Sequence, residues 1–450
     1  MSNRARVCLI ALLLLFSGLA VARSRGVADN GTIIENVTLI SPERAAPLLH
    51  ADVIIRDGKI AGIGKNLAAG PHARRIDGTG KFLIPGLIDS HVHVGHSAAL
   101  DDDAIEAHPG LWTAYKAQVP RAYLAFGFTS VVDLDLKPLD QAWFEATLVH
   151  PHFYSCGRGI KVAGGYGAFN VPPSSSPNFP NLVYDPATAS AWPKSLNPAD
   201  YNPEHAVARA ADQGAICVKA FVESGFGIFH WPYLHTEALR QIRNAAAARK
   251  LVLMVHANGA DSWRIALDAH ADVIAHGLWQ WPGDLASSVP PETARDLIAE
   301  AARNHVHVQP TLQTVAGERA FYDPSLLDDP RISFALPASV ISYLRSTDGV
   351  KARQALLEQY RKLAPGGKFE SYLNVFIERA RATFELMLRE HIPLILGSDT
   401  PAGDGFGNPP GLNGRLEMQD WADAAAPLPL ILRAATLENA KAMGLSHELG

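Results

Sequence analysis

Charge is scarce in this sequence. Only 19% of its 450 residues are Asp, Glu, Lys or Arg, against roughly 25% in an ordinary soluble protein. No stretch gathers Lys and Arg into a stripe, and the formal net charge is −5. Binding a polyanion requires clustered cations that displace its counterions, so no nucleic-acid partner is expected. Cysteine is nearly missing, with three in the whole chain, which excludes a disulfide-stapled scaffold and a thiolate metal cluster. Past the first 22 residues no apolar run approaches the ~20 residues needed to cross a bilayer. What the chain has instead is 48% apolar residues and 18 His. The first supports a large buried core, and the second points to imidazole as the donor if a metal is bound.

Residues 1–22 carry Arg4 and Arg6, an apolar run from Val7 to Phe16, and the small-x-small pattern Ala20-Val21-Ala22. These are the three parts of a secretory signal peptide, and they predict a periplasmic or secreted protein with no stable membrane span after cleavage. Cleavage would remove Cys8 and two arginines, taking the formal charge from −5 to −7 and leaving Cys156 and Cys217. Cys217 shares strand parity with Lys219, so it is expected to point inward as a buried thiol.

Residues 23–81 read as a small β domain, with Asp57-Gly58 marking a tight hairpin between β-rich runs. From residue 82 to 443 eight short apolar runs recur, from FLIPGLIDSHVH through TSVVDLD, HFYSCG, AICVKAFV, LVLMVHA, DVIAHGL and HVHVQPTL to IPLILGSD. Helix-patterned stretches such as TEALRQIRNAAAARK and ETARDLIAEAARN lie between them. Alternation of this kind specifies an α/β fold, a (β/α)8 TIM barrel, whose chemistry sits at the carboxyl ends of the strands. Two connections, 164–205 and 316–380, exceed what the repeat needs. Both leave from that face, so they are expected to cover it.

His91 and His93 close the first run and share one side of a strand. Lys219 lies inside an apolar strand, where an unpaired ammonium would cost several kcal/mol. His256, His276 and Asp399 end the fifth, sixth and eighth runs. Any one of them reads as a hydrogen-bonded strand end. Six together, on the face where barrels perform chemistry, do not read as packing. Weaker candidates are Tyr166 in Gly164-Gly165-Tyr166-Gly167, which either bonds a substrate group or simply packs, Glu223 and Ser224 near the substrate, and His96 as an exposed loop residue.

These residues carry a resemblance. The chain resembles the amidohydrolase superfamily, and within it the imidazolonepropionase-like group with periplasmic Xaa-Pro dipeptidases. The resemblance runs from IDGTGKFLIPGLIDSHVH through VKAFVESG, VHANG, VIAHGL and LGSDT to LRAATLENAKAMGL. It implies that His91, His93, Lys219, His256, His276 and Asp399 hold one or two divalent metal ions, usually zinc, with Lys219 carbamylated as a bridge between two. On this reading His91, His93 and Asp399 serve one ion and His256 and His276 the other. The implied activity is hydrolysis of a C–N amide bond in a small peptide or cyclic amide, with metal-activated water as nucleophile and Asp399 as general base and acid. Lactone or ester hydrolysis on the same centre is the nearest alternative. Tyr166 stands where relatives commonly carry His, which leaves the role of that position open. Relatives also continue past the last barrel helix with strands that complete the small β domain. Residues 444–450 are therefore expected to be a truncated tail beside an incomplete β-sandwich, with a non-catalytic remnant as the further alternative; a small-molecule or dipeptide substrate is the expected partner, and a homo-oligomer stays open.

Overall fold

The structure, a computed structural model, describes residues 31–450 except 99, 138, 177, 285–286 and 403–404. The signal-peptide reading of residues 1–22 lies outside the described residues. The chain divides between Ile84 and Pro85 into two compact units.

The first unit is one five-stranded sheet. Thr32–Leu39 pairs antiparallel with Leu48–Arg56 and parallel with Arg74–Asp77 and Phe82–Leu83, and Lys59–Gly64 completes the sheet beside Leu48–Arg56. Asp57 and Gly58 make the hairpin turn with φ of 51° and 72°. Two successive positive φ values match the twist of the flanking strands, which is why Asp-Gly belongs there.

The second unit is the expected (β/α)8 barrel. Its first seven strands are Leu87–Val92, Phe128–Asp133, His152–Ser155, Cys217–Phe221, Val252–His256, Val273–Ala275 and His307–Gln309. Parallel ladders join them in sequence order except between the third and fourth. There Ile216 N–H donates to Ser155 O across 2.9 Å. The segment 393–400, in the place of the eighth strand, closes the ring through isolated parallel bridges of Leu394 with Val308 and of Thr400 with Val92. On one side Ile395 N–H bonds Val308 O (3.0 Å), and on the other Ser90 N–H bonds Leu396 O (3.2 Å) and His93 N–H bonds Thr400 O (2.7 Å). Strands paired on both edges and covered outside by helices are apolar on both faces, which explains the continuous runs in the sequence. Thr236–Ala248 shows the complementary helix pattern, burying Ala238, Leu239, Ile242, Ala245 and Ala246.

Inside the barrel, strand alternation stacks Cys217, Lys219 and Phe221 in rising layers. The lower layer packs Cys217 with Val132, Met254, Val273 and Ile395, and Met443 and Leu445 join the same cluster. Cys217 is not a free thiol, which corrects the sequence reading. Its sulfur is bonded to that of Cys156 at 2.12 Å, with the two Cα atoms 4.3 Å apart. Parity fixes the direction of Cys217 but says nothing about what the adjacent strand, 61 residues away in sequence, places beside it.

Both long connections have structure of their own. The first forms the 3-10 turns Pro186–Ala191 and Pro198–Tyr201 over a satellite core of Ala163, Ala168 and Leu182. The second folds into Ala338–Arg345 and Thr347–Leu363 and runs into the long helix Phe369–Arg389. A disulfide between segments this far apart restricts the unfolded chain, so Cys217→Ser is expected to lower stability by roughly 2–4 kcal/mol. Denaturant unfolding of variant and parent checks this, and equal midpoints with and without reductant would contradict it.

Candidate metal centre

The six polar residues at the strand ends converge. Asp399 Oδ1 lies 3.1 Å from both His91 Nε2 and His93 Nε2, and Asp399 Oδ2 lies 3.8 Å from His276 Nδ1. Lys219 Nζ is 3.5 Å from His91 Nε2. The His276 ring sits 5.1 Å from that of His91 and 4.4 Å from that of His256, centroid to centroid. His91, His93 and Asp399 bring one ligand atom each to within 4.8 Å of one another, a triad able to hold a cation.

The backbone here is unusual. His276, Thr311 and Asp399 have φ of 89°, 47° and 54°. Left-handed conformations cost non-glycine residues on the order of 1–3 kcal/mol each and persist where surrounding contacts enforce them, often at functional sites. Those contacts are visible. Asp89, fully buried, accepts from Ser398 N–H (2.9 Å), Ser398 Oγ–H (2.5 Å) and His91 N–H (3.2 Å), tying the first strand to the eighth just before Asp399. Asn413 Nδ2 donates to Ser398 O (2.7 Å) and Thr400 Oγ1 (2.8 Å) on the other side of Asp399. Gly397 is required by close approach, since a Cβ there would lie 2.7 Å from His91 Cβ and 2.8 Å from Gln309 Nε2.

Three of the imidazoles are oriented through one nitrogen. His91 Nδ1 meets Gln309 Oε1 at 3.1 Å, His276 Nδ1 meets Thr311 Oγ1 at 2.9 Å, and His256 Nε2 meets Glu223 Oε2 at 3.3 Å. The Gln309 and Glu223 oxygens can only accept, so His91 Nε2 and His256 Nδ1 are left as lone-pair donors, the arrangement typical of metal-ligating histidines, while Thr311 holds His276 through Nδ1. On His93 the buried Nδ1 has no hydrogen-bond partner among the described residues, while Nε2 faces Asp399. The donor set of imidazoles, carboxylate and amine therefore fits a divalent ion.

Protonation states agree with that fit. Burial pushes the His91 imidazole down to about 3, holds His256 below its usual value and His276 well below it. Burial alone would raise Asp399, but His91, His93 and His276 around it hold the carboxyl well below the usual range. Burial pushes the Lys219 ammonium down to about 7. The barrel's other buried lysine, Lys161, is ion-paired with Asp135, whereas Lys219 faces His91 and the ring of Phe221 with no carboxylate in ion-pair contact among the described residues.

Glu223 is buried, bonding His256 through one oxygen and accepting Gly225 and Phe226 N–H at 2.6 and 2.7 Å through the other. Ser224 beside it is exposed. Gln309 and Thr311 were not picked out from the sequence, although HVHVQPTL contains both. A polar residue inside an apolar strand was the available signal. Tyr166 sets its ring 5.1 Å from that of His256. His96 is exposed and stacks on His93 at 5.4 Å.

A metal-binding barrel of this kind defines a class of hydrolases, and the chain belongs to the Amidohydrolase family, whose sequence profile matches residues 82–450. Among curated relatives it is 41% identical over 83 residues to a dihydroorotase of Trichlorobacter lovleyi, 18% of this chain and 16% of that one. It is 37% identical over 62 residues to an L-hydantoinase of Paenarthrobacter aurescens, 14% of this chain and 13% of that one. These matches span well under a quarter of the relatives' own lengths. Among solved structures it is similar to a Xaa-Pro dipeptidase with methionine bound in its active site, with a TM-score of 0.60 at 19% identity over 94% of this chain and 90% of that one. That likeness is one of fold.

Gln309 also donates through Nε2 to Ser90 O and Ser90 Oγ, so it fixes His91 from a rigid base. Gln309→Ala is expected to weaken metal binding by roughly 10–100-fold. Competition against a chromogenic chelator measures this, and an unchanged affinity would show that Gln309 does not orient a ligand.

Proposed function

We propose that this chain is an exported, metal-dependent enzyme that hydrolyses the amide bond of a small peptide or cyclic amide. The observation that carries the reading is the placement of one Asp399 oxygen 3.1 Å from two imidazole nitrogens, beside a buried lysine with no ion-pair partner among the described residues. His91, His93 and Asp399 would hold one divalent ion, zinc by the mixed nitrogen and oxygen donors, and His256 and His276 a second. Lys219, carbamylated, would lie between them, which turns a poorly placed cation into an anionic oxygen ligand. When bound, such ions lower the pKa of water towards ~7 and polarise a carbonyl.

The chain's own groups perform the proton transfers. Asp399 takes a proton from the attacking water as the new C–O bond forms at the amide carbon. It then returns that proton to the amine nitrogen as the C–N bond breaks, so the carboxylate ends as it began. The dihydroorotase and hydantoinase names of relatives and the dipeptidase fold neighbour support a C–N bond as the target. Export is supported by the pattern of residues 4–22 and by the Cys156–Cys217 disulfide, since such bonds persist in oxidising compartments.

Turnover of a panel of dipeptides, cyclic amides and lactones by the metal-loaded protein tests the reaction class. Asp399→Asn is expected to lower kcat by about 10²–10⁴-fold on amides. Rates that survive the substitution unchanged would remove Asp399 from the mechanism, and turnover confined to lactones would replace the amide reading. Lys219→Ala is expected to lose bound metal and activity together, with partial recovery on adding bicarbonate and a short carboxylic acid. Full metal occupancy in that variant would show that Lys219 is not a ligand.

A further inference from the structure

Beside His256 the structure gathers aromatic rings that no buried core uses. Tyr166 and Phe169 come from the loop after the third barrel strand, and Phe226, Phe229 and Trp231 from the loop after the fourth. None of the five belongs to a hydrophobic core cluster, and Phe169 is 51% exposed. They nonetheless touch one another in a connected series that starts at the metal centre. Tyr166 lies 5.1 Å from the His256 ring, 5.4 Å from Phe226 and 5.6 Å from Trp231. Trp231 in turn lies 4.8 Å from Phe169 and 4.7 Å from Phe229.

The loop that carries three of these rings is held rigidly. Gly225 has φ of 123°, and a Cβ on it would sit 2.5 Å from the backbone of Phe229, so the turn closes only on glycine. Gly225 O accepts from Ile228 and Phe229 N–H, and Ser224 O accepts from Trp231 N–H. Phe226 adopts φ of 53° and is clamped at both ends of its backbone. Its N–H is bound by Glu223, the residue that also bonds His256, and its C=O accepts from Tyr372 O–H at 2.9 Å. Tyr372 lies on the long helix that emerges from the second long connection. One carboxylate thus fixes both a candidate metal ligand and the aromatic loop.

From this geometry we propose that the rings form the wall of a subsite, and that the enzyme selects amides carrying a flat aromatic group beside the scissile bond. The inference rests on the amide-hydrolase reading and names the substrate class for it. Ring orientation argues for an aromatic group over a cation. Tyr166 and Phe229 lie at only 28° and 10° to the plane of Trp231, so these three rings pile nearly parallel, while Phe226 stands edge-on to Tyr166 and Trp231 at 87°, and the pile presents a face for one more ring to lie along. A cage for a cation would surround an open centre. Here the rings contact each other. Because the wall is pre-ordered, little side-chain entropy is lost when the guest binds.

The test compares matched amide substrates, dipeptides that differ only in Phe against Ala at the variable position, in the metal-loaded enzyme. The expected kcat/KM ratio favours the aromatic member by at least about tenfold, the scale on which apolar subsites discriminate. Trp231→Ala and Tyr166→Ala should collapse that ratio, chiefly through KM of the aromatic substrate, and Trp231→Phe should restore part of it. A merely structural role would lower both substrates together and leave the ratio in place. Binding of 3-phenylpropionate against propionate, read by tryptophan fluorescence in protein with Trp231 intact and by calorimetry in Trp231→Ala, separates this inference from the reaction assignment. Preferential binding of the aromatic acid that is lost in Trp231→Ala supports the wall even if no amide is cleaved, in which case only the amide reading falls. Equal affinities, or an unmoved ratio in the variants, would overturn the proposal.

Discussion

A primary amine buried at the centre of a barrel, beside the His91 imidazole and with no carboxylate in ion-pair contact among the described residues, is the constraint from which the rest of this structure follows. An ammonium there would be held against its own desolvation, and the surrounding burial accordingly drives Lys219 towards the neutral amine. Lys161 shows the ordinary solution, a direct ion pair with Asp135 inside the same barrel. Lys219 instead has His91 Nε2 at 3.5 Å and no carboxylate in ion-pair contact among the described residues. Such a cluster of neutral donors and one ionised carboxylate is poorly satisfied as protein alone and well satisfied around a cation. The same electrostatic demand accounts for Asp399, whose position among three histidines keeps it ionised despite burial.

Holding those donors in place takes a surrounding layer of polar contacts and some backbone strain. Gln309, Thr311 and Glu223 each turn one ring, while Asp89 and Asn413 bracket the eighth strand on either side of Asp399. The left-handed conformations of His276, Thr311 and Asp399 show how far the strand ends depart from regular geometry to aim their side chains. Below them the layer containing Cys156, Cys217 and Met254 is packed and apolar. It gives the polar layer a floor that does not yield. Precision at the mouth depends on that rigidity, because a ligand set loosened by even an ångström loses much of its affinity.

Much of this was legible in the sequence because the relevant signals are local and periodic. Eight apolar runs separated by helix-patterned stretches specify the barrel, and period-two alternation places His91 with His93 on the inner side of one strand. Asp57-Gly58 specifies its turn by backbone sterics alone. What was not legible depends on lateral register between strands that are far apart in sequence. Parity showed that Cys217 points inward but could not show that the end of the third strand sets Cys156 against it. Glu223 was visible as a polar residue close after Lys219. Only the ladder between the fourth and fifth strands, which sets Phe221 opposite His256, reveals that its carboxylate reaches that imidazole. Tyr166 was ambiguous for the same reason, since its neighbours come from a different loop.

The central claim is that the barrel mouth exists to hold divalent metal between these six side chains. Anomalous diffraction from crystals of the zinc-loaded protein, recorded on either side of the metal absorption edge, tests it most directly. One or two anomalous peaks are expected within bonding distance of His91, His93 and Asp399 and of His256 and His276, with Lys219 extended towards them. Well-ordered side chains with no anomalous density at that position, or metal bound only elsewhere on the chain, would contradict it.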